Sequence, residues 1–387
     1  MKNTITGLAA AHMITDIYMP VLPAILPLLI AQNGYSYLAA GLLVTAYNVT
    51  SSCTQPVIGW LSDKRGLTIS VSVSLFISAV FVALMGLAKD YYLIMAFAVI
   101  AALGHACFHP TALSIVSRLC THENRGQITS YFVVGGNIGY AIGPVLAGVL
   151  VWWLGLPGLI FLIIPAIIMV FVLRILLPGG IAAAKEAHAV PESMTADVPS
   201  KWPFIILMVA SIFRAWAIFA ALTFLPTYLV SEGYTLVFSS LIMTLMLLCG
   251  VVGQVAGGRI SDRFGRKEFI IIALVGAVPF FCIFLVLSGI PAIIALLGFG
   301  FCLWATFSVA VAMGHELLPQ NVGLASGVML GFTIGFGGLG VAVNGLIADQ
   351  YSLRAALGTI PLVIAVAIVL MTLLPYPWKS LRRYFTG

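Results

Sequence analysis

Five ionisable residues interrupt long apolar stretches of this sequence, and their side-chain types favour proton transfer and anion binding. A charge at the centre of a bilayer costs about 2.5–3.5 kcal/mol on insertion scales, so such a residue usually lines a polar cavity or has a partner. Four of the five form pairs spaced four residues apart, which places both members on one helix face. The pairs are His12 with Asp16 and His105 with His109, and the fifth residue is Arg214.

Long apolar helices must position these residues. The chain is 61% hydrophobic and 8% charged, with a mean hydropathy of +1.13, more apolar than a soluble core can hide. A membrane helix needs about 20 apolar residues, whereas a membrane barrel would show alternating segments of about ten. We therefore predict an all-α membrane protein with twelve transmembrane helices, at 5–31, 39–61, 69–88, 92–118, 127–152, 156–177, 202–230, 237–260, 268–288, 291–316, 322–347 and 354–375.

An internal repeat divides the chain into two halves. The segment GWLSDKRG at 59–66 returns as GRISDRFGRK at 258–267, and the first copy lacks the final basic pair, with Leu67 and Thr68 in its place. A polar stretch rich in Ala, Pro and Glu separates the halves and is typical of a flexible linker. We predict an N-terminal six-helix bundle at 1–178, a cytoplasmic linker at 179–201 and a C-terminal six-helix bundle at 202–387.

The distribution of Lys and Arg predicts the orientation. Of the 18 Lys and Arg residues, only Lys89 and Arg354 fall in loops on the side opposite the N-terminus. Cytoplasmic loops keep positive charge, so we expect a multi-pass protein of the plasma (inner) membrane with both termini cytoplasmic. The net charge of +6 is then explained by this topology and by anionic lipid, without a nucleic-acid partner.

The ionisable residues fall on the predicted helices 1, 4 and 7. This recurrence at every third helix is expected of a transporter built from three-helix units around a central cavity. Polar and aromatic residues on or near these helices are candidates for framing a substrate, namely Tyr18, Tyr47, Asn137, Trp216 and Phe219. The glycine-rich segments at 135–144 and 331–340 predict close helix approach, and Pro20, Pro23 and Pro27 predict interruptions of helix 1.

Several sequence blocks resemble a known family. The double loop motif resembles the signature of the major facilitator superfamily. Within that superfamily the chain is similar to the fosmidomycin-resistance type of efflux protein, through blocks that follow the family's order over nearly the whole chain. They are AHMITD at 11–16, TQPVIGWLSDK at 54–64, FHP at 108–110, VGGNIGYAIGP at 134–144, FRAW at 213–216, LTFLPTYL at 222–229, ELLP at 316–319, GLASGVMLGFTIGFGGLG at 323–340 and GLIAD at 345–349.

The resemblance implies two pseudo-symmetric six-helix bundles, alternating access and proton-driven export of small polar or anionic drugs, by a protein that works as a monomer without a cofactor. It also implies a conformational latch in the two loop motifs, formed by Asp63, Lys64, Arg65, Asp262, Arg263 and Arg266. A carboxylate there can cap a helix N-terminus and pair with nearby Arg or Lys. One departure is Thr111, where the family commonly carries Glu after FHP.

Our hypothesis is a proton-coupled antiporter in which Asp16, helped by His12, carries the proton. Arg214 binds the phosphonate or carboxylate of the substrate and thereby releases Asp16 to take a proton. His105 and His109 are further candidates for substrate binding.

Other interpretations stay open. Asp16 and Arg214 can form a structural ion pair, and His105 and His109 can be buried neutral side chains. His12, Asp16, His105 and His109 also have ligand types that suit divalent transition metals, so a metal-ion transporter on the same fold is the alternative. We expect no enzyme, because catalytic carboxylate pairs, nucleophile–base arrangements and phosphate loops are not evident; an intramembrane hydrolase or sensor is the remaining class. The six cysteines show no CxxC pairing and suit apolar packing.

Overall fold

The computed structural model describes residues 2–65, 69–119, 125–176 and 201–378, and helices make up almost all of them. Within these ranges there is no β-strand, so the predicted all-α class is confirmed. Short 3₁₀ segments occur at Leu156–Leu162 and Pro319–Asn321, and a π-helical turn at Val328–Phe332. The helices are α1 Lys2–Ile17, α2 Val21–Asn33, α3 Tyr37–Arg65, α4 Val71–Met85, α5 Tyr91–Leu119, α6 Arg125–Leu154, α7 Ile163–Leu176, α8 Trp202–Ser231, α9 Leu236–Phe264, α10 Arg266–Val286, α11 Gly289–Leu317, α12 Val322–Gly327, α13 Thr333–Gln350, α14 Leu353–Gly358 and α15 Ile360–Leu373.

Ten helical segments among the described residues are long and apolar enough to cross a membrane, and they coincide with ten of the twelve predicted spans. The other two predicted spans correspond to α3 and α4. Helix α3 has 29 residues, but its middle contains Asn48, Ser51 and Ser52, all of them buried. Helix α4 has 15 residues, or about 22 Å at 1.5 Å per residue, which is short for a span. Twelve spans are therefore consistent with the structure, and ten helical segments are both long enough and apolar enough to cross a membrane.

The first span breaks once, at its first proline. Helix α1 ends at Ile17 and α2 begins at Val21, and Pro20 occupies the position before α2. Proline has no N–H to donate, so the turn before it cannot continue the helical ladder. Pro23 lies in the first turn of α2 and Pro27 in its interior, so the predicted interruption occurs at Pro20 alone of the three.

Glycines on α6 bring its backbone against α1. An added Cβ at Gly139 would lie 1.9 Å from the carbonyl oxygen of Met13, and one at Gly143 would lie 2.4 Å from that of Ile17. No side chain fits at either distance. The close helix approach predicted from this glycine-rich segment is confirmed, and it fixes the register of α1, the helix that carries His12 and Asp16.

The second glycine-rich segment does the same for α8. An added Cβ at Gly337 would lie 2.5 Å from the Cβ of Ala215, and one at Gly340 would lie 2.2 Å from the indole Cγ of Trp216. Helices α6 and α13 correspond to the fifth and eleventh predicted spans, and helices α1 and α8 correspond to the first and seventh. The fifth span therefore packs on the first, and the eleventh packs on the seventh. The same pairing recurs in both halves, as an internal duplication requires.

The chain folds into two compact units. One contains Met1–Val190 and Pro226–Thr244, and the other contains Pro191–Leu225 and Leu245–Gly387. The predicted linker at 179–201 lies outside the described residues except for Lys201. The predicted domain boundaries at 178 and 202 therefore stay a prediction.

Candidate functional site

Three histidines converge on the carboxylate of Asp16. The Nε2 atom of His12 lies 3.1 Å from Oδ2 of Asp16, one helical turn away on α1. From α5, Nε2 of His105 lies 3.4 Å and Nε2 of His109 lies 3.6 Å from Oδ1 of the same carboxylate. The two pairs recognised by their spacing thus form a single cluster.

The cluster is enclosed by neighbouring helices. His12 and His105 are buried, and the side chains of Asp16 and His109 are 14% and 18% exposed. Gly136 on α6 lies directly against it, because an added Cβ there would be 2.4 Å from Nε2 of His12 and 2.6 Å from Oδ2 of Asp16. The phenyl ring of Phe132 stacks on the imidazole of His12 with ring centroids 4.2 Å apart.

The outer nitrogen of His12 has its own partner, which fixes the position of one proton. Nδ1 of His12 lies 2.8 Å from the carbonyl oxygen of Phe132. A carbonyl only accepts, so Nδ1 carries hydrogen and donates it. The contact between Nε2 of His12 and Asp16 then also needs one proton, carried either by the imidazole or by the carboxyl group. The pair therefore shares one proton in this hydrogen bond.

Ser51 on α3 holds the outer nitrogen of His105. Its Oγ lies 3.0 Å from Nδ1 of His105, and a hydroxyl can donate or accept in this contact. Nε2 of His105 lies 3.2 Å from Nε2 of His109, so one of these nitrogens donates and the other offers a lone pair. The accepting nitrogen can take a further proton only when this hydrogen bond opens.

Asp16 is only partly satisfied. Its Oδ1 is buried and makes no hydrogen bond of acceptable geometry among the described residues, although two imidazole nitrogens lie within 3.6 Å. A buried carboxylate oxygen without a donor is costly. A protonated imidazole or another cation beside Oδ1 would relieve that cost.

The geometry of the cluster also suits the predicted metal alternative. One ligand atom from each of His12, Asp16 and His109 can be chosen so that all three lie within 4.8 Å of one another. Nitrogen and oxygen ligands about 2 Å from a common ion are compatible with such spacing. The alternative stays a prediction.

Arg214 on α8 is a buried cation with unsatisfied donors. Its relative exposure is 3%, and its Nε and Nη1 atoms have no hydrogen-bond partner in the part of the chain that the structure describes. The guanidinium carbon lies 5.1 Å from the ring centroid of Phe307, within cation–π range. A buried cation with free N–H groups is suited to bind an oxyanion.

The other predicted substrate residues differ in what their polar atoms do. The hydroxyl of Tyr18 donates to the carbonyl of Leu162 at 3.0 Å, and Nε1 of Trp216 donates to Oδ1 of Asn344 at 2.6 Å. Both are therefore engaged in helix packing. The ring of Tyr47 lies 6.2 Å from that of His105, which brings Tyr47 beside the cluster.

Three further residues singled out in the sequence lie on α5, α6 and α8. Asn137 is half-buried on α6, while Phe219 on α8 and Thr111 on α5 are buried. The roles of Asn137 and Phe219 in framing a substrate stay predictions.

The second loop motif carries a defined ion-pair cluster. Nη1 of Arg266 lies 3.2 Å from Oδ1 of Asp262, and Nε of Arg266 lies 2.5 Å from Oε1 of Glu316 on α11. Arg263 is exposed. We did not predict Glu316 to be part of the latch. The sequence shows only that it lies beside His315 near the end of a helix.

The first loop motif is only partly described. The side chains of Asp63 and Lys64 lie outside the described part of the chain, and so do residues 66–68. The guanidinium of Arg65 lies 5.8 Å from the ring centroid of Trp60. The latch function of both motifs stays a prediction.

Comparison with known proteins gives consistent matches along the chain. The family model described as Major Facilitator Superfamily matches residues 5–330 and, in a second match, 237–383. The chain is 27% identical over 357 residues to the fosmidomycin resistance protein of Escherichia coli (strain K12), covering 90% of this chain and 87% of that one. It is 29% identical over 374 residues to the uncharacterized MFS-type transporter YfnC of Bacillus subtilis (strain 168), covering 92% of this chain and 88% of that one.

A solved structure resembles this fold over nearly its full length. It is the crystal structure of a bacterial homologue of the human lysosomal transporter Spinster in an inward-facing and occupied conformation, which matches with a TM-score of 0.83. The match covers 95% of each chain at 15% sequence identity. At that identity the likeness shows the fold alone.

Proposed function

The chain belongs to the major facilitator superfamily, and we propose that it is a proton-coupled antiporter that exports a small polar or anionic compound by alternating access. That it is a multi-pass membrane transporter follows from the family and from its apolar spans. The observation that carries the proton-coupling proposal is the convergence of three histidines on Asp16, a carboxylate within a membrane helix.

Proton coupling needs a group that gains and loses a proton during the cycle. In the proposal, His12 and Asp16 share one proton. An arriving proton is taken by the nitrogen that accepts in the hydrogen bond between His105 and His109, and that hydrogen bond opens as the proton binds. His109 is the better acceptor of the two, because it is more exposed than His105. The negative charge of Asp16, 3.6 Å away, stabilises the imidazolium that forms. Asp16 thus works as the centre of the proton site, and His109 receives the arriving proton.

Substrate binding is assigned to Arg214. Its buried guanidinium has two nitrogens without a hydrogen-bond partner among the described residues, which is the state expected of a site that waits for an oxyanion. A carboxylate or phosphonate would supply the missing acceptors. The similarity to the fosmidomycin resistance protein supports a fosmidomycin-like phosphonate as the first compound to test.

Location and orientation form part of the same proposal. We place the protein in the plasma (inner) membrane as a monomer with both termini cytoplasmic. The asymmetric distribution of Lys and Arg between the loops supports this orientation.

The proposal is tested by proton flux in proteoliposomes that contain a trapped pH dye. Addition of fosmidomycin to the wild-type protein is expected to drive protons in the direction opposite to the drug. The substitution Asp16→Asn is expected to abolish that proton flux. Asp90→Asn is the matched control, because Asp90 is an exposed cap of α5 whose Oδ1 accepts from the N–H of Leu93 at 2.8 Å, and Asn caps equally well. Drug-driven flux of normal size in Asp16→Asn would remove Asp16 from the proton site.

The same assay distinguishes the metal-transport alternative from proton-coupled export of a drug. It is favoured by the grouping of His12, Asp16 and His109 within 4.8 Å. A wild-type protein that is silent with fosmidomycin but responds to zinc or manganese, and loses that response in His109→Ala, would support the alternative.

A further inference from the structure

A short segment after the last helix forms a rigid strap. Residues Leu374–Trp378, with the sequence Leu-Pro-Tyr-Pro-Trp, follow α15 and are here called the strap. Leu374 is extended, with φ −58° and ψ 120°, as the residue before a proline prefers. Pro375 and Pro377 fix two further φ angles, and the N–H of Tyr376 donates to the carbonyl of Leu374 at 2.8 Å. The strap therefore holds its shape at a low entropic cost.

Lys267 fastens the end of α15 to the start of α10. Its ammonium group donates to the carbonyls of Thr372 at 3.0 Å and Leu374 at 2.7 Å. The last carbonyls of a helix lack partners within the helix and carry partial negative charge, so a lysine there acts as a C-terminal cap. The Nζ atom also lies 4.3 Å from the ring centroid of Trp378. The residue is 2% exposed, and these contacts compensate for its buried charge.

Tyr376 ties the strap to the ion-pair cluster. Its hydroxyl donates to Oε2 of Glu316, while Oε1 of Glu316 accepts from Nε of Arg266. Burial of Tyr376 and, secondly, its hydrogen bond to the Glu316 carboxylate raise the pKa of the tyrosine, so the hydroxyl keeps its proton in ordinary buffers. The strap, α11 and the second loop motif thus meet at one carboxylate.

The two halves of the chain differ in this region in a correlated way. The last apolar segment of each half ends near a Leu-Leu-Pro sequence, at 176–178 and 373–375, but Gly-Gly follows it in the first half and Tyr-Pro-Trp in the second. The loop motifs differ at matching positions, where the first has Leu67 and Thr68 and the second has Arg266 and Lys267. The basic pair and the aromatic strap are both present in the second half and both missing from the first.

We propose that Lys267 and Tyr376 are positioning residues that clamp the strap onto the second loop motif and so hold Arg266 between Asp262 and Glu316. This clasp explains why only the second motif carries the basic pair. It does not depend on the identity of the substrate or on proton coupling.

Hydrogen–deuterium exchange of the protein in lipid nanodiscs tests the clasp. The amides of Gly265 and Phe269, which bond to Ser261 and Gly265, report on the loop motif. Tyr376→Phe and Lys267→Met are each expected to speed their exchange about tenfold, as loss of a hydrogen bond to a charged group implies. Lys267→Arg, which can still donate to the carbonyls, is expected to restore slow exchange. Tyr351→Phe is the matched control, because Tyr351 is 77% exposed.

A transport measurement distinguishes a role of Tyr376 in positioning Arg266 for transport from a purely structural role. With fosmidomycin as the probe, Tyr376→Phe is expected to lower the maximal rate several-fold at unchanged KM, and Asp262→Asn is expected to add no further loss in the double variant. Unchanged exchange in both single variants would overturn the clasp. Faster amide exchange together with a normal transport rate would overturn the positioning role. Independent losses of transport rate that multiply in the double variant would also overturn it. If the wild-type protein moves no protons with the drug, the proposed function fails, and the exchange data still decide the clasp.

Discussion

The imidazole of His12 donates from Nδ1 to a backbone carbonyl on α6 and meets Oδ2 of Asp16 through Nε2 at 3.1 Å. Because the carbonyl requires a proton on Nδ1, the contact to Asp16 must contain a second one. This relationship gives a carboxylate within an apolar helix a partner with which it shares a proton, as an ionisable group in a membrane span requires.

His109 is predicted to be the group that first receives the transported proton. His109→Gln removes the nitrogen that can be protonated but leaves His12 and Asp16 in place, so we expect drug-driven proton flux to fall by about a hundredfold or more, the scale of general acid–base contributions. His315→Gln is the control, since that histidine lies on α11 and meets Oγ of Ser326 at 2.7 Å. Equal losses in both variants would point to a general effect of removing histidine.

Ser51 is predicted to position the ring of His105. Ser51→Ala removes one buried hydrogen bond worth about 1 kcal/mol, so proton flux is expected to drop roughly five-fold. Ser51→Thr keeps the hydroxyl and should restore most of the flux. The comparison is made in the same pH-dye assay, and a Thr variant as slow as the Ala variant would mean that size, and not the hydroxyl, matters at this position.

The glycines of α6 are predicted to be essential for assembly of the site. Gly139→Ala would place a methyl group 1.9 Å from a backbone oxygen of α1, which cannot move aside without shifting the helix. We expect a loss of about 1–3 kcal/mol or more in thermal unfolding measured in detergent. Gly59→Ala, in open space on α3, is expected to be neutral or to stabilise by up to about 1 kcal/mol. Equal melting temperatures for the two variants would contradict the packing account.

Arg214 is predicted to bind the anionic group of the substrate. Arg214→Met should weaken binding of radiolabelled fosmidomycin by about tenfold to a hundredfold, and Arg214→Lys should recover only part of the loss because it lacks the planar fork. Arg174→Met, at an exposed position on α7, is the control. Wild-type affinity in Arg214→Met would place the anion elsewhere.

Much of the fold could be predicted from the sequence, because membrane helices follow directly from apolar length. The histidine pairs were recognisable from their spacing and from the cost of burying ionisable groups. The glycine-rich segments also indicated close packing correctly. The length of α4 and the buried polar face of α3 were less predictable, since hydropathy does not show how far a helix continues or which face is lined by neighbours.

The partners of the site residues could not be predicted in the same way. The carbonyl of Phe132 belongs to the backbone, so no side-chain type marks it. Ser51 is one of many small polar residues in α3, and only the fold brings it to His105. The contacts of Glu316 and Tyr376 join positions 60 residues apart, and the sequence signal was limited to the Pro-Tyr-Pro-Trp segment and the unequal loop motifs.

The most direct test of the proton site compares exchange with net transport in Asp16→Asn. Proteoliposomes are loaded with labelled fosmidomycin and measured with and without a pH gradient. Exchange needs substrate binding and the conformational change, whereas gradient-driven accumulation also needs the transported proton. We predict that Asp16→Asn keeps exchange and loses accumulation, while Asp90→Asn keeps both. Accumulation at the wild-type level in Asp16→Asn would contradict the account.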